Sequence, residues 1–481
     1  MTDSTSYLEL SEDGGGSHKF YEVVVSGTDV TITYGRIGDP GKATTTPYPT
    51  AEKAAAAAAK KLAEKKRKGY EEAVRGVRKR RSVTRRSIPS QGTSASRTPS
   101  NVKRAPVLWK YNSGAAAFGV FVDGERAMVG NERGDVWSLT HEGEVTNRYQ
   151  LPDGVKCIVG DESWIYAGCD DGNVYDIGGK APRLAYEIAE NIDIYWVDIH
   201  DGTLGVSDAG GGITTIDHED ESLWAERGKG TGAWMVRVDG NAVYHGHSAG
   251  VEGFSKATGE RLWYQPTKGS VLFGWQEKDD VYAGTSGNKV HRIRKSDGEM
   301  LATYDCNASV FSCATARDGE YVFAGDSSSS VYCFKADGTR LWKLGTGCGS
   351  AYSMQYHEER LYIVTTGGQL ACIDVSEAAI HAAEAGTVPE VRDVKLATLD
   401  AVVPSAEVET TSDAGDGIIV ECVSVGSRLR VHVVSAGYEA GWNVQFPKNM
   451  RIPGARYVVE GVRESAQGGF YRAHGEIKRL V

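Results

Sequence analysis

The chain has 481 residues, 40% of them apolar and 25% charged, which allows about two to four domains of about 100–200 residues each and enough apolar material for a sizeable core. The 59 glycines follow no G-x-y period, which excludes collagen, and no uncharged apolar run approaches the ~18 residues of a membrane span. Glycine alongside 23 Tyr, 10 Trp and 13 Pro points to many short strands joined by tight turns, a mainly β chain.

The net charge of −10 is unevenly spread: residues 1–50 carry −4, residues 51–104 carry +13, and residues 105–481 carry −19. A +13 block on an acidic protein is expected to meet an anionic partner, and counterion release makes nucleic acid the usual one. The competing expectation is a solvated tether, or a segment folded back on the protein's own acidic surface. Residues 1–17 are polar and acidic with no apolar run. No signal peptide, no membrane partner and a cytoplasmic location are therefore expected.

After an opening YLEL and three glycines come two alternating β-branched and aromatic runs, FYEVVV (20–25) and VTITYGRI (30–37), joined by SGTD as a hairpin turn. GDPG turns the chain again into an extended KATTTPYP. Thr50 is placed to N-cap AEKAAAAAAKKLAEKKRK, and Gly69 to end that helix. Residues 1–74 thus read strand–strand–strand–helix, a small α+β domain.

This stretch, with Tyr34-Gly35-Arg36 where the signature has Trp-Gly-Arg and a closing Lys68-Gly69-Tyr70, resembles the WGR domain. That module occurs in poly(ADP-ribose) polymerases and many bacterial proteins. The resemblance implies DNA contact at strand breaks, the aromatic packing on a terminal nucleotide and the Arg meeting backbone phosphate. Tyr34, Gly35 and Arg36 are the implied contacts, with Lys42 beside them. An aromatic platform next to a guanidinium holds a nucleic-acid end without reading sequence. The bland expectation makes Tyr34 a core aromatic and Arg36 a surface residue. No ADP-ribosyl transferase region follows, so polymerase activity does not carry over.

Residues 75–106 are rich in Ser, Thr, Arg and Pro and lack apolar periodicity, as in a basic disordered linker. Its Arg80, Arg81, Arg85 and Arg86 could lie along a phosphate backbone.

From residue 107 a repeat of about 40 residues begins. A small or compact residue ends the second strand of each unit: Gly130, Gly168, Ser207, Gly246, Gly284, Gly325 and Val364, at spacings of 38, 39, 39, 38, 41 and 39. One four-stranded blade per unit gives a seven-bladed propeller over 107–375. The seventh unit has three strands, and VLWKY (107–111) matches the missing fourth, so the N-terminal strand is expected to close the ring and remove the open edge. Trp109, Trp224, Trp263 and Trp342 share one place in the repeat and are expected to pack on the neighbouring blade.

The Asp-Gly-x-x-Leu-Trp phrase resembles the pyrroloquinoline-quinone-type propeller repeat of quinoprotein dehydrogenases and non-enzymatic scaffolds. The quinoproteins are typically exported and eight-bladed, with calcium ligands and usually a vicinal Cys pair. Seven units and no adjacent cysteines imply no enzyme and no cofactor here. His245 and His247 are spaced i, i+2 on one strand face but show no third ligand nearby, so they read as ordinary blade residues and no metal is expected. The eight cysteines, without any C-x-x-C, read as buried reduced thiols. The acidic phrases CDDG (169–172), DHEDE (217–221) and EKDD (277–280) read as solvated turns, able to meet a basic partner.

Residues 376–416 read as a linker with a helix-like segment, and 417–481 as a small β-rich C-terminal domain whose Lys448, Arg451, Arg456 and Arg472 read as surface charge. The functional expectation is a non-enzymatic adaptor holding DNA ends or nicks, with the propeller presented to a protein partner. The alternative is a protein–protein scaffold that binds no nucleic acid.

Overall fold

In the computed structural model the described residues are 4–10, 19–36, 41–73, 103–161, 164–188, 194–395, 399–404, 408–426 and 428–481. The chain divides into two compact units, 1–82 and 83–481. Among the described residues no helix is long and apolar enough to cross a membrane.

The first unit is a five-stranded sheet with one helix. Strands β1 (Ser4–Leu10), β2 (Lys19–Ser26), β3 (Asp29–Arg36) and β4 (Lys42–Pro47) precede α1 (Ala51–Arg67) and β5 (Glu71–Glu72). The sheet order is β4-β3-β2-β1-β5. Two of these strands exceed the expected strand–strand–strand–helix pattern. The opening YLEL lies within β1, which pairs with β2 on one side and β5 on the other. Thr50 accepts the Lys53 N–H at 3.3 Å and caps α1, and Gly69 follows at φ +89°, as expected. Ala54 and Ala58 press onto Leu8, Tyr21, Val23 and Val30, and their small side chains let the helix sit close to the sheet.

The second unit opens with seven antiparallel sheets in chain order, as the repeat implies. The seven aligned residues are each next to last in their blade's second strand. Their size has a packing cause. A Cβ on Gly130 would come within 2.5 Å of Val155, on Gly246 within 2.6 Å of Val271, and on Gly284 within 2.9 Å of Val310, each on the first strand of the next blade. The inner edges of neighbouring blades can thus approach closely.

The ring closes as the sequence implies. β6 (Val107–Asn112) pairs antiparallel with Gln369–Asp374 and completes the seventh blade. Three indoles rivet blade to blade. Trp109 Nε1 donates to His141 O at 2.9 Å, Trp224 to Lys256 O at 2.8 Å and Trp263 to Lys295 O at 2.8 Å. Each ring also covers a glycine of the receiving turn: Gly143, Gly259 and Gly298. Trp342 is buried but makes no such bond.

Two boundaries move. Lys103 to Pro106, expected in the linker, already belong to the fold: Ala105 N–H donates to Gly345 O and Gly345 N–H to Lys103 O. Residues 376–416 are more than a linker. They form α2 (Glu377–Ala385), a strand Arg392–Val394 parallel to β6, and a short strand Thr410–Thr411 joined to the C-terminal sheet. That sheet is otherwise built from Ile418–Val425, Arg428–Val433, Asn443–Gln445, Arg456–Glu464 and Phe470–Leu480. All eight cysteines are free, and six are buried.

Candidate nucleic-acid interface

The signature triplet ends β3, where the alternation of the strand separates its side chains. Val30 and Ile32 face α1, and Tyr34 follows them on the same face. Tyr34 is 45% exposed, so it is no core aromatic. The core aromatic is its cross-strand partner Tyr21, whose ring lies under Tyr34 with centroids 6.5 Å apart and planes at 28°. One ring is held by the core and the other is offered to solvent, a rigid flat platform.

Gly35 is required by the opposite face. A Cβ there would lie 2.9 Å from Gly41 Cα and 3.2 Å from Phe20 Cε1. Phe20 itself stacks on Tyr7 at 5.7 Å. Arg36 is the last residue of β3, opposite Lys19; its side chain lies outside the described residues, as do Arg80, Arg81, Arg85 and Arg86. Lys42 is exposed and sits directly opposite Tyr34 on β4.

Sequence reasoning missed Lys65. The last turn of α1 carries Lys65, Lys66 and Arg67, and the Lys65 ammonium stands 4.5 Å above the Tyr21 ring and 5.1 Å above Tyr70. Burial, with Lys68, Lys61 and Lys19 nearby, lowers its pKa against the opposing pull of Glu64. A phosphate oxygen would relieve that repulsion. The i, i+4 stacking of basic residues on α1 is the signal that could have identified it. Tyr34 and Lys65 thus meet at Tyr21 from β3 and α1, with Lys42 beside Tyr34 on β4.

In the second unit, aromatics on or just before the first strands of neighbouring blades stack in pairs. Phe118 stacks on Tyr352 at 4.7 Å and Tyr195 on Trp234 at 3.8 Å. The cavity they bound with Glu132, Val155, Lys156, Asp170 and Trp196 measures about 20 Å³, room for about one water.

Each of the three acidic turns contains a carboxylate that is not solvated. Asp170 is buried and pairs with Lys156 at 3.1 Å. Glu219 and Asp220, in DHEDE, are buried because the C-terminal sheet sits on them. Arg430 meets Glu219 at 3.3 Å, Lys448 meets Asp220 at 3.5 Å, and Arg451 donates to the Glu219 carbonyl at 3.4 Å. Asp280 of EKDD is buried against Arg292.

The expectation of surface charge is therefore corrected for Arg472, which is fully buried and pairs with Asp161 at 2.8 Å. It fails for Arg451, whose guanidinium is held by the Phe446 carbonyl at 2.7 Å as well as by Glu219. Lys448 and Arg456 remain exposed, the latter near Glu421. A basic partner for the blade-three acidic turn is present within the chain itself.

Residues 4–77 match the WGR domain family. Residues 247–401 match a repeat model described as outer membrane protein assembly factor BamB. No curated protein matches the chain. Among solved structures, the WD40 β-propeller domain of Doa1 is similar with a TM-score of 0.50 at 10% identity, over 57% of this chain and 98% of that one. A computationally designed protein, Ika8, is similar with a TM-score of 0.45 at 12% identity, over 56% of this chain and all of that one. The likeness to Doa1 is one of fold.

Proposed function

We propose that this chain, a WGR domain joined to a seven-bladed propeller of PQQ-type repeats, is a non-enzymatic adaptor that binds DNA at ends or nicks and presents the propeller to a protein partner. The observation that carries the reading is the exposed Tyr34 ring on its buried Tyr21 support, with Lys42 opposite it and Lys65 over the support. An exposed terminal base pair offers a flat face for such a ring, and its phosphates answer the ammonium groups. Residues 51–104, at +13, supply a sequence-independent attraction that brings DNA to that platform.

The non-enzymatic part of the reading rests on the sequence: seven repeat units and no adjacent cysteines, unlike the eight-bladed quinoproteins with a vicinal Cys pair that the repeats resemble. Eight unpaired cysteines support a reducing compartment, the cytoplasm. The test is an electrophoretic mobility series of the full chain with blunt, nicked, intact circular and single-stranded DNA at rising salt. Binding that prefers ends and nicks, and loses that preference in Tyr34→Ala, supports the reading. Equal binding to intact circles and ends would reduce the chain to a scaffold with a non-specific basic tether, and absence of binding at low salt to a protein–protein scaffold.

A further inference from the structure

The third ligand that the sequence did not reveal beside His245 and His247 is Glu252. Strands Ala242–His247 and Gly250–Ser255 of the fourth blade pair so that His245 lies directly opposite Glu252. His247 is two residues further along, on the same face. All three side chains are fully buried. One donor atom from each lies within 4.8 Å of the others. The chain leading into this blade leaves room for them: a Cβ on Gly228 would stand 2.7 Å from His247 Cδ2 and 2.9 Å from both Glu252 Oε2 and His245 Cε1.

We propose that His245, His247 and Glu252 form a binding site for a borderline divalent cation of the zinc class. Two imidazoles and one carboxylate suit Zn²⁺, Co²⁺ or Ni²⁺ better than the all-oxygen preference of Ca²⁺ or Mg²⁺. The motivating observation is His245. Neither of its ring nitrogens makes a well-formed hydrogen bond, the backbone of Gly212 offering only a weak one, and a buried imidazole without one is costly.

The other two groups are paired without metal. His247 Nε2 lies 3.0 Å from Glu252 Oε2, and its Nδ1 accepts the Ala249 N–H at 3.1 Å. Glu252 Oε1 meets Arg261 Nε at 2.8 Å. Arg261 is 38% exposed along its side chain.

Uptake of the ion then has a definite proton balance. Because Nδ1 accepts the Ala249 N–H, the neutral His247 ring carries its proton on Nε2, toward Glu252. A cation that takes Nε2 moves that proton to Nδ1, the Ala249 amide turns away from it, and no proton is released to solvent. The turn rearrangement makes the site weaker than one whose outer shell already accepts from its histidines.

The experiment uses the full chain, stripped with a chelator and dialysed. Cobalt chloride is added while the visible ligand-field absorption is followed, and zinc chloride is then added as competitor. One cobalt per chain, displaced by zinc, is expected, and His245→Gln and His247→Gln should each weaken it at least about tenfold while the metal-free melting midpoint of the folded variants holds. X-ray absorption of the zinc-loaded wild type gives a reading that does not depend on the variants folding: two imidazoles in the first shell. No stoichiometric cobalt or zinc uptake by the folded wild type would overturn the site. So would uptake unchanged in both variants, or a first shell lacking two imidazoles.

Discussion

Arg472 and Asp161 join the C-terminal sheet to the second blade through a buried ion pair of 2.8 Å. Around it the Arg472 guanidinium lies 4.0 Å over the Trp164 ring and donates to Tyr166 Oη at 3.0 Å. Asp161 also accepts the N–H groups of Asp201 and Gly202, each at 2.8 Å. Removing one partner strands the other charge away from water, at a cost of about 3–5 kcal/mol. Arg472→Met should therefore lower stability by about that much. Adding Asp161→Asn should restore part of it, read as a coupling energy in urea unfolding of the single and double variants. Additive losses would show that the pair does not act as a unit.

The same junction carries two titrations of opposite sign. The His218 ring lies flat on Phe470 with centroids 3.7 Å apart. Burial pulls its pKa down to about 4, with Arg451 and Arg472 adding to the effect and Asp217 and Asp201 opposing it. Its contribution is complete above the ordinary histidine pKa of about 6.5 and is lost as pH falls through about 4. His218→Phe keeps the stack and removes the proton site. Relative to that variant, the wild type should lose on the order of 2 kcal/mol between pH 6.5 and 4.5. Burial raises Asp220 to about 6 against the pull of Lys448, so its contribution is complete below pH 4 and is lost as pH rises through 6. Relative to Asp220→Asn the wild type should gain over the descent from 6 to 4. Unfolding curves at the two pH values that moved in parallel for all three proteins would contradict both assignments.

What the sequence could and could not reveal follows from the reach of each interaction. The aligned small residues and the recurring Trp are visible because the same blade-to-blade contact is repeated along the chain, so packing leaves a period. The missing fourth strand of the last blade is visible for the same reason: VLWKY is a repeat phrase out of place. Glu252 was within reach of strand register, as the residue facing His245 across a short hairpin, but the turn length had to be known to pair them. Arg472 was not legible. It sits in an ordinary alternating strand, and its partner Asp161 is 311 residues away in the second blade. Glu219 and Asp220 misled for the same reason, since an acidic turn reads as solvated until a distant basic sheet covers it. β5 is two residues long and is defined by its partner rather than by its own pattern. In the triplet, exposure of Tyr34 was left open because alternation places it on the helix-covered face, and only the end of α1 decides that the cover stops short of it.

Ring closure makes a truncation test. β6 buries Val107, Trp109 and Tyr111 between Gln369–Asp374 and Arg392–Val394. Deleting residues 1–112 removes those side chains, a loss on the order of 5 kcal/mol in burial, and opens a strand edge. Deleting residues 1–100 leaves β6 in place and should leave the thermal midpoint of the propeller nearly unchanged. Equal midpoints for the two truncations would mean that the seventh blade is stable without its N-terminal strand.

The platform and the basic segment should separate in their response to salt. Each phosphate neutralised on duplex DNA contributes about −0.9 to the slope of log affinity against log salt. Lys65→Gln removes one ammonium from the platform, and Arg36→Ala removes the guanidinium that the family resemblance assigns to phosphate. Each should weaken binding and make the slope shallower by about one unit. Tyr34→Ala removes a stacking face and no charge, so it should cost about 1–3 kcal/mol with the slope unchanged. Tyr34→Trp enlarges that face and should retain or strengthen binding. Reversing charge at Arg80, Arg81, Arg85 and Arg86 should weaken all DNA forms alike, because cations strung along the chain read backbone charge and not ends, whereas the Tyr34 and Arg36 variants should lose most on ends and nicks. If charge reversal abolished binding while Tyr34→Ala, Arg36→Ala and Lys65→Gln left it intact in folded protein, DNA would be held by the basic segment alone and the Tyr34 platform would have no part in it.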